Sequence, residues 1–200
     1  MSSFALKMLA VITMLIDHIG FIFYDQIEYY AEMRTIGRLA FPIFCFLLVE
    51  GVFHTRSKKR YLLSLAVFAV LSEIPFNLAF FNMLQDPLHQ NVFWTLFIGA
   101  ALLCLCRQSF FSRHVEFQML LAAVAAGTAK WLHTDYGAMG VILIFGLYMA
   151  KEYAPTYYGI SLAKPLQALW NGLLMLVYAQ TRQMYAAGAS IFMLLYNGKR

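Results

Sequence analysis

Continuous apolar stretches recur along this chain, each close to the roughly 20 residues an α-helix needs to cross about 30 Å of hydrocarbon. No polar block between them is large enough to fold alone. Inside a bilayer no water is available to hydrogen-bond a bare backbone, so only helices and closed barrels are admissible. A barrel would alternate apolar and polar residues in segments of about ten. Runs such as LKMLAVITMLIDHIGFIF and LLSLAVFAVL are continuous instead. The sequence therefore predicts an all-α polytopic membrane bundle forming one domain over residues 1–200. Its spans fall near 5–24, 36–54, 61–81, 91–106, 115–132, 137–150, 163–180 and 183–197, about eight crossings. Composition agrees: 62% of residues are hydrophobic and 12% charged, against about a quarter charged in a soluble domain. The first run carries no small-residue cleavage site and continues through Asp17 and His18, which predicts a retained helix and not a removed signal.

The formal net charge is +5, and its placement gives it meaning. Arg56, Lys58, Lys59 and Arg60 lie between spans two and three, Arg107 and Arg113 between four and five, and Lys151 and Lys164 flank a later loop. Lys199 and Arg200 end the chain. The intervening loops carry Asp25, Glu28, Glu32, Asp86 and Asp135, with Arg34, Lys130 and Arg182 on the basic side. The positive-inside rule then puts both termini in the cytoplasm and makes the bilayer, not nucleic acid, the partner of the positive charge. Cys45, Cys104 and Cys106 fall inside spans without metal-ligand or disulfide spacing, so they read as packing residues and no metal is expected.

Ionisable groups at membrane depth are expensive and mark function. His18 lies eleven residues, three turns, beyond Lys7, on the same helix face and roughly 16 Å deeper. Near the bilayer midplane, a neutral imidazole can take or give a proton as a general base does. Asp17 points about 100° away, with Thr13 on its stripe. Arg38 in span two is always charged and needs a carboxylate, a carbonyl or an anionic ligand; Asp17 is the natural candidate. Pro42 removes a backbone donor and loosens the helix around it. Glu50 and His54 lie four apart and can share a proton or a hydrogen bond. In span three, LSEIPFN sets Glu73 and Asn77 one turn apart with Pro75 between them, so both can point into one cavity. His89, Gln90 and Asn91 open span four, and His133, Asp135 and Tyr136 open span six; loop ends hold such residues routinely. The TRSKKR run either anchors the chain to anionic lipid or holds the phosphates of a nucleotide-bearing donor.

The stretches DHIG (Asp17 to Gly20), GRLAFPIFCFLLVEGVFHT (Gly37 to Thr55), SEIPFN (Ser72 to Asn77), QNVFWTL (Gln90 to Leu96) and DYGAMGV (Asp135 to Val141) together closely resemble the TraX family. The likeness runs in order over most of the chain. The family's founding activity is N-acetylation of conjugative pilin, and it is similar to transmembrane acyltransferases that take an acyl group from cytoplasmic acyl-CoA to an extracytoplasmic acceptor. The resemblance implies a multi-pass protein of the bacterial inner membrane and acetyl-CoA as acyl donor. The acceptor would be a protein N-terminus such as pilin, or a glycan or small-molecule amine or hydroxyl. Those acyltransferases carry a basic residue, ten others, then His on the first helix; Lys7 and His18 have that spacing, with Lys where Arg is usual. TraX-like chains continue beyond the YNG motif, here Tyr196 to Gly198, into a helix with an aromatic-proline-His segment, whereas this sequence stops at Arg200. It is either a short member or lacks that helix.

On this reading His18 deprotonates the acceptor or relays the acetyl group, Asp17 or Glu73 orients it, and Arg38 stabilises developing oxyanion charge or binds an acidic acceptor. Lys7, Arg56, Lys58, Lys59 and Arg60 hold CoA, while Asn77, Asn91, Asp135 and Tyr136 contact the acceptor. The alternative is a proton-coupled small-molecule transporter with Asp17, His18 and Glu73 as relay. A third reading is a scaffold whose polar residues only glue helices together.

Overall fold

The computed structural model describes residues 1–177 and 182–199. It is helical: α1 (Ser3–Ile22), α2 (Tyr30–Gly37), α3 (Ala40–His54), α4 (Lys58–Phe81), α5 (Val92–Cys106), α6 (Val115–Trp131), α7 (Gly137–Glu152), α8 (Ala163–Val177) and α9 (Ala189–Leu195). Short 3₁₀ turns cover Phe111–Arg113 and Arg182–Gly188. Three segments among the described residues are long and apolar enough to cross a membrane: Ser3–Ile22, Tyr30–His54 and Lys58–Phe81. The later helices run 15, 17, 16, 15 and 7 residues. Much of α4 presents apolar side chains outward, Leu63, Phe68, Val70, Leu71 and Ile74 among them. Such a face would be unfavourable against water and is at home against lipid tails.

The chain divides into two compact units. The first comprises Met1–Leu47 with Gly146–Arg200, and the second Leu48–Phe145. Within the first, α1 and α2 pack through small residues. A Cβ on Gly37 would lie 2.1 Å from the Cβ of Asp17, and one on Gly20 would lie 2.8 Å from the Cβ of Met33. Helices in lipid associate by close packing and hydrogen bonds, and glycine permits that approach. Gly146 does the same for α7 and α8, since a Cβ there would meet the Trp170 ring at 2.0 Å. Buried amides tie α8 to its neighbours: Gln167 donates to the Leu147 carbonyl at 3.0 Å, and Asn171 to Ser190 Oγ at 3.0 Å. The chain ends meet, because the Ser3 amide donates to the Lys199 carbonyl at 2.7 Å and the Asn197 amide to the Met1 carbonyl at 2.9 Å. Lys164 Nζ closes this region onto the Tyr196 carbonyl at 2.6 Å.

Helix boundaries follow capping chemistry. Ser2, Ser57 and Asn91 cap α1, α4 and α5 by accepting from the amides of Ala5, Arg60 and Phe93 at 3.2, 3.3 and 2.9 Å. Span two is not one unbroken helix. Pro42 has no N–H to offer the Arg38 carbonyl and its ring crowds that oxygen. The chain therefore tightens at Arg38 and Leu39, whose amides reach back to Thr35 and Ile36 at 3.3 and 3.2 Å. The helical path begins six residues before the predicted boundary of 36, at Tyr30, so Arg34 is a helix residue and not part of a loop. The predicted last span at 183–197 is a 3₁₀ turn followed by seven α-helical residues. A hairpin that the hydropathy pattern does not reveal joins α7 and α8: β1 (Thr156–Tyr157) pairs with β2 (Ile160–Ser161). Tyr158 and Gly159, both at positive φ, make its two-residue turn.

Candidate functional site

In the first unit Asp17 leaves α1 toward α2. Its Oδ2 accepts from Arg34 Nη1 at 2.6 Å, and Oδ1 stands 3.8 Å from Arg38 Nη2. The three side chains are only 16–18% exposed. The predicted Asp17 to Arg38 pair is thus the longer of two, and Arg34 is its nearer partner. Arg34 also lies over the Phe21 ring, 5.0 Å from its centroid. The spacing explains the pairing: Arg34 and Arg38 are four apart and share a helix face, and Gly37 lets that face touch α1 at Asp17. His18, half-buried beside Asp17, is hydrogen-bonded to the backbone of Met14 one turn below. Asp17 sets a negative charge next to this imidazole. Its own bonds run to the guanidiniums, so it acts on His18 through charge. Lys7 lies on the exposed side of α1.

The second unit holds a carboxylate in a different setting. Glu73 Oε2 accepts from Asn91 Nδ2 and, at 3.1 Å, from the Trp94 indole nitrogen. Its Oε1 takes Asn77 Nδ2 at 3.5 Å. Asn91 also reaches across to the Ala69 carbonyl at 2.7 Å. Asn77 and Asn91 are 0% and 2% exposed. Predicted residues Glu73, Asn77 and Asn91 therefore meet, and Trp94 is the member the sequence reading overlooked. Among the described residues no cation lies within ion-pair distance of Glu73, and Lys130 is exposed elsewhere on α6. Pro75 removes the donor for the Leu71 carbonyl inside α4, directly beside this cluster.

Asp135 and Tyr136 sit in a segment joined to the start of α5. The Gln90 amide donates to the His133 carbonyl at 3.0 Å, and the Asp135 amide donates to the Gln90 carbonyl at 2.8 Å. Thr95 Oγ1 binds Thr134 Oγ1 at 2.9 Å and also the Asp135 carbonyl. Non-glycine residues His133 and Tyr136 stand at φ 52° and 62°, and such left-handed backbone at side-chain-bearing residues persists only where surrounding bonds over-determine it. Thr95 and Thr134 are contributors that the sequence reading did not name, and Gln90 is one it read as an ordinary loop-end residue. The Q and T of QNVFWTL and the T of HTDYG carry no stronger signal than that.

Arg56, Lys58, Lys59 and Arg60 gather at the N-terminus of α4, where Arg56, Lys59 and Arg60 are exposed. Three cations in a first helical turn oppose the helix dipole, so an anion placed there would be stabilised by side chains and backbone together. At the same end of this unit Arg107 covers the Phe53 ring at 3.9 Å.

Comparison with known proteins places these residues in a family setting. The family model described as "TraX protein" matches residues 2–200. A relative from Dichelobacter nodosus, "Probable fimbrial assembly protein FimC, serogroup H1", is 34% identical over 95% of this chain and 76% of its own length. An uncharacterized protein of Rickettsia prowazekii (strain Madrid E) is 30% identical over 74% of this chain and 55% of its own length. No solved structure matches.

Proposed function

The chain belongs to the TraX family, and we propose that it is a membrane-embedded acetyltransferase. It takes the acetyl group from cytoplasmic acetyl-CoA and delivers it to an extracytoplasmic acceptor. It works in the bacterial inner membrane, crossing about eight times with both termini cytoplasmic. The relative named for fimbrial assembly favours a pilin-type N-terminus as acceptor.

The observation that carries this reading is the setting of His18: an imidazole near the C-terminal end of α1, next to a carboxylate that two guanidiniums already hold. A neutral imidazole beside this cluster has a nitrogen lone pair with which to accept a proton, as a general base does. The acceptor nitrogen attacks the thioester carbonyl, a C–N bond forms, the C–S bond breaks, and His18 carries a nitrogen proton to the departing sulfur. Arg38, whose Nε carries no hydrogen bond, is the group to meet developing oxyanion charge. The basic residues at 56–60 hold the CoA phosphates. Asp135 and Tyr136 contact the acceptor, while the buried Asn77 and Asn91, which the sequence assigned to that role, hold the Glu73 carboxylate instead.

The test is transfer of labelled acetyl from acetyl-CoA to a peptide with a free N-terminus, using purified protein in lipid. Wild type should transfer, and His18→Ala should lose about 10² to 10⁴ in turnover while staying folded. Lys58 and Lys59 changed together to Ala should raise KM for acetyl-CoA more than they lower kcat. Unchanged turnover in His18→Ala removes the assignment, and proton-linked uptake by liposomes without donor would establish a transporter instead.

A further inference from the structure

Within the first unit α8 is built inside out. Its amides Gln167 and Asn171 are buried, while Leu169, Leu173 and Leu176 stand exposed on the opposite side. A helix that hides its amides and shows its leucines is arranged for lipid and not for water. Its start is tied to the start of α1, which is long and apolar enough to cross a membrane. The Ser3 amide donates to the Lys199 carbonyl at 2.7 Å and the Asn197 amide to the Met1 carbonyl at 2.9 Å. Lys164 Nζ, on the second residue of α8, donates to the Tyr196 carbonyl between them at 2.6 Å. Both helices therefore begin at one level, and a membrane crossed by α1 has one of its surfaces there.

The β1–β2 hairpin stands at that level, immediately before α8. The Leu162 amide closes its base on the Pro155 carbonyl at 3.1 Å, and Tyr157 pairs with Ile160. The Tyr157 and Tyr158 rings meet edge to face with centroids 4.5 Å apart. Every residue from 155 to 161 is exposed, Tyr157, Tyr158 and Ile160 at 66%, 88% and 70%. So small a hairpin is marginal in water, and three large apolar bodies held in the open add to the cost. A tyrosine joins an apolar ring to a polar hydroxyl, and that combination suits the headgroup level of a bilayer, where aromatic side chains gather. Residues 153–163 carry no charge that would hold the segment off the lipid, and Lys151 and Lys164 bracket it with positive charge suited to anionic headgroups. We propose that this hairpin is an interfacial anchor: Tyr157, Tyr158 and Ile160 dip into the boundary between headgroups and acyl chains of the leaflet at which α1 begins, and the partner they bind is the lipid surface. The anchor requires the membrane and is independent of the acetyltransferase chemistry.

The experiment places a nitroxide on the full chain in nanodiscs of phosphatidylcholine and phosphatidylglycerol. Cys45, Cys104 and Cys106 are buried, so a thiol reagent finds the new site in Tyr158→Cys, and unsubstituted protein carried through the same labelling gives the background. Dissolved oxygen concentrates in lipid and a nickel chelate stays in water, so their relative access to the label reads its depth. The label at 158 should favour oxygen and lie about 5 to 10 Å into the headgroup and acyl boundary, where amphipathic segments rest. Leu173→Cys, on the outer face of α8, should read deeper, and Lys199→Cys, exposed beside the chain start, should favour nickel. With the label at Ile160→Cys instead, adding Tyr157→Ser and Tyr158→Ser should shift it from favouring oxygen to favouring nickel. A label at 158 as open to nickel as the one at 199 overturns the anchor, and so does one screened from both probes, which would mean that protein covers the hairpin. An Ile160→Cys label that stays in lipid after both tyrosines are replaced overturns it as well.

Discussion

Asp17 in the first unit and Glu73 in the second are both carboxylates on segments apolar enough to span a membrane, yet each is accommodated by opposite chemistry. Asp17 is neutralised by two arginines at 2.6 and 3.8 Å. Glu73 is surrounded by neutral donors, two amides and an indole. In low dielectric an ion pair is strong only while complete, since removing one partner strands the other charge. A carboxylate held by amides keeps its hydrogen-bond pattern whether or not it carries charge. The first site is therefore charge-critical, whereas the second depends on hydrogen bonds from neutral donors.

Three variants and one titration bear on that contrast. The largest effect belongs to Asp17→Asn, which removes the carboxylate that both guanidiniums face and should cost about 3 to 5 kcal/mol of unfolding free energy in bicelles. A loss near 1 kcal/mol would mean that solvent or lipid phosphate already screens the arginines. Next comes Gly37→Ala, whose new methyl would sit 2.1 Å from the Asp17 Cβ. Forcing α1 from α2 should cost about 1 to 3 kcal/mol and lengthen the Arg34 to Asp17 distance, measurable by cysteine cross-linking between the helices. Glu73→Gln should cost only about 1 kcal/mol, because the amide oxygen can still accept from Asn91 and Trp94; a loss as large as that of Asp17→Asn would erase the distinction drawn between the two sites. The smallest effect is a pH one. Asp86 accepts from the Leu88 amide and His89 and so titrates lower folded than unfolded, and the unfolded chain binds its proton first as pH falls. Its contribution is complete above the ordinary value of about 4 and disappears as pH drops through the folded one. Asp86→Asn should flatten that acid limb in a thermal-melt series and leave its neutral-pH end nearly level.

Much of this architecture was legible in the residues. The predicted spans at 61–81, 91–106, 115–132 and 137–150 coincide with α4 to α7 to within three residues at each end, because capping residues and long apolar runs are local signals. The cluster of Glu73 with Asn77 was legible from helical spacing. Trp94 and Asn91 are joined to it by packing between α4 and α5, which no local pattern encodes. Arg34 was hidden for a related reason: YAEMRTIG is too polar to score as membrane helix by itself, and it extends the apolar helix that follows. The hairpin after α7 escaped because two-residue strands have no periodicity to detect.

By itself the chain's covalent order determined that it must be helical, where its prolines interrupt or strain those helices, and that His18, Arg38 and Glu73 would fall within or beside apolar segments. Which partner each of them met was decided only in three dimensions. A glycine gap at Gly37 set how closely α1 and α2 approach, and that distance, not the order of residues, gave Asp17 to Arg34 and left Arg38 at longer range. Electrostatic choice depends on separations of an ångström or two, and such separations are set by packing.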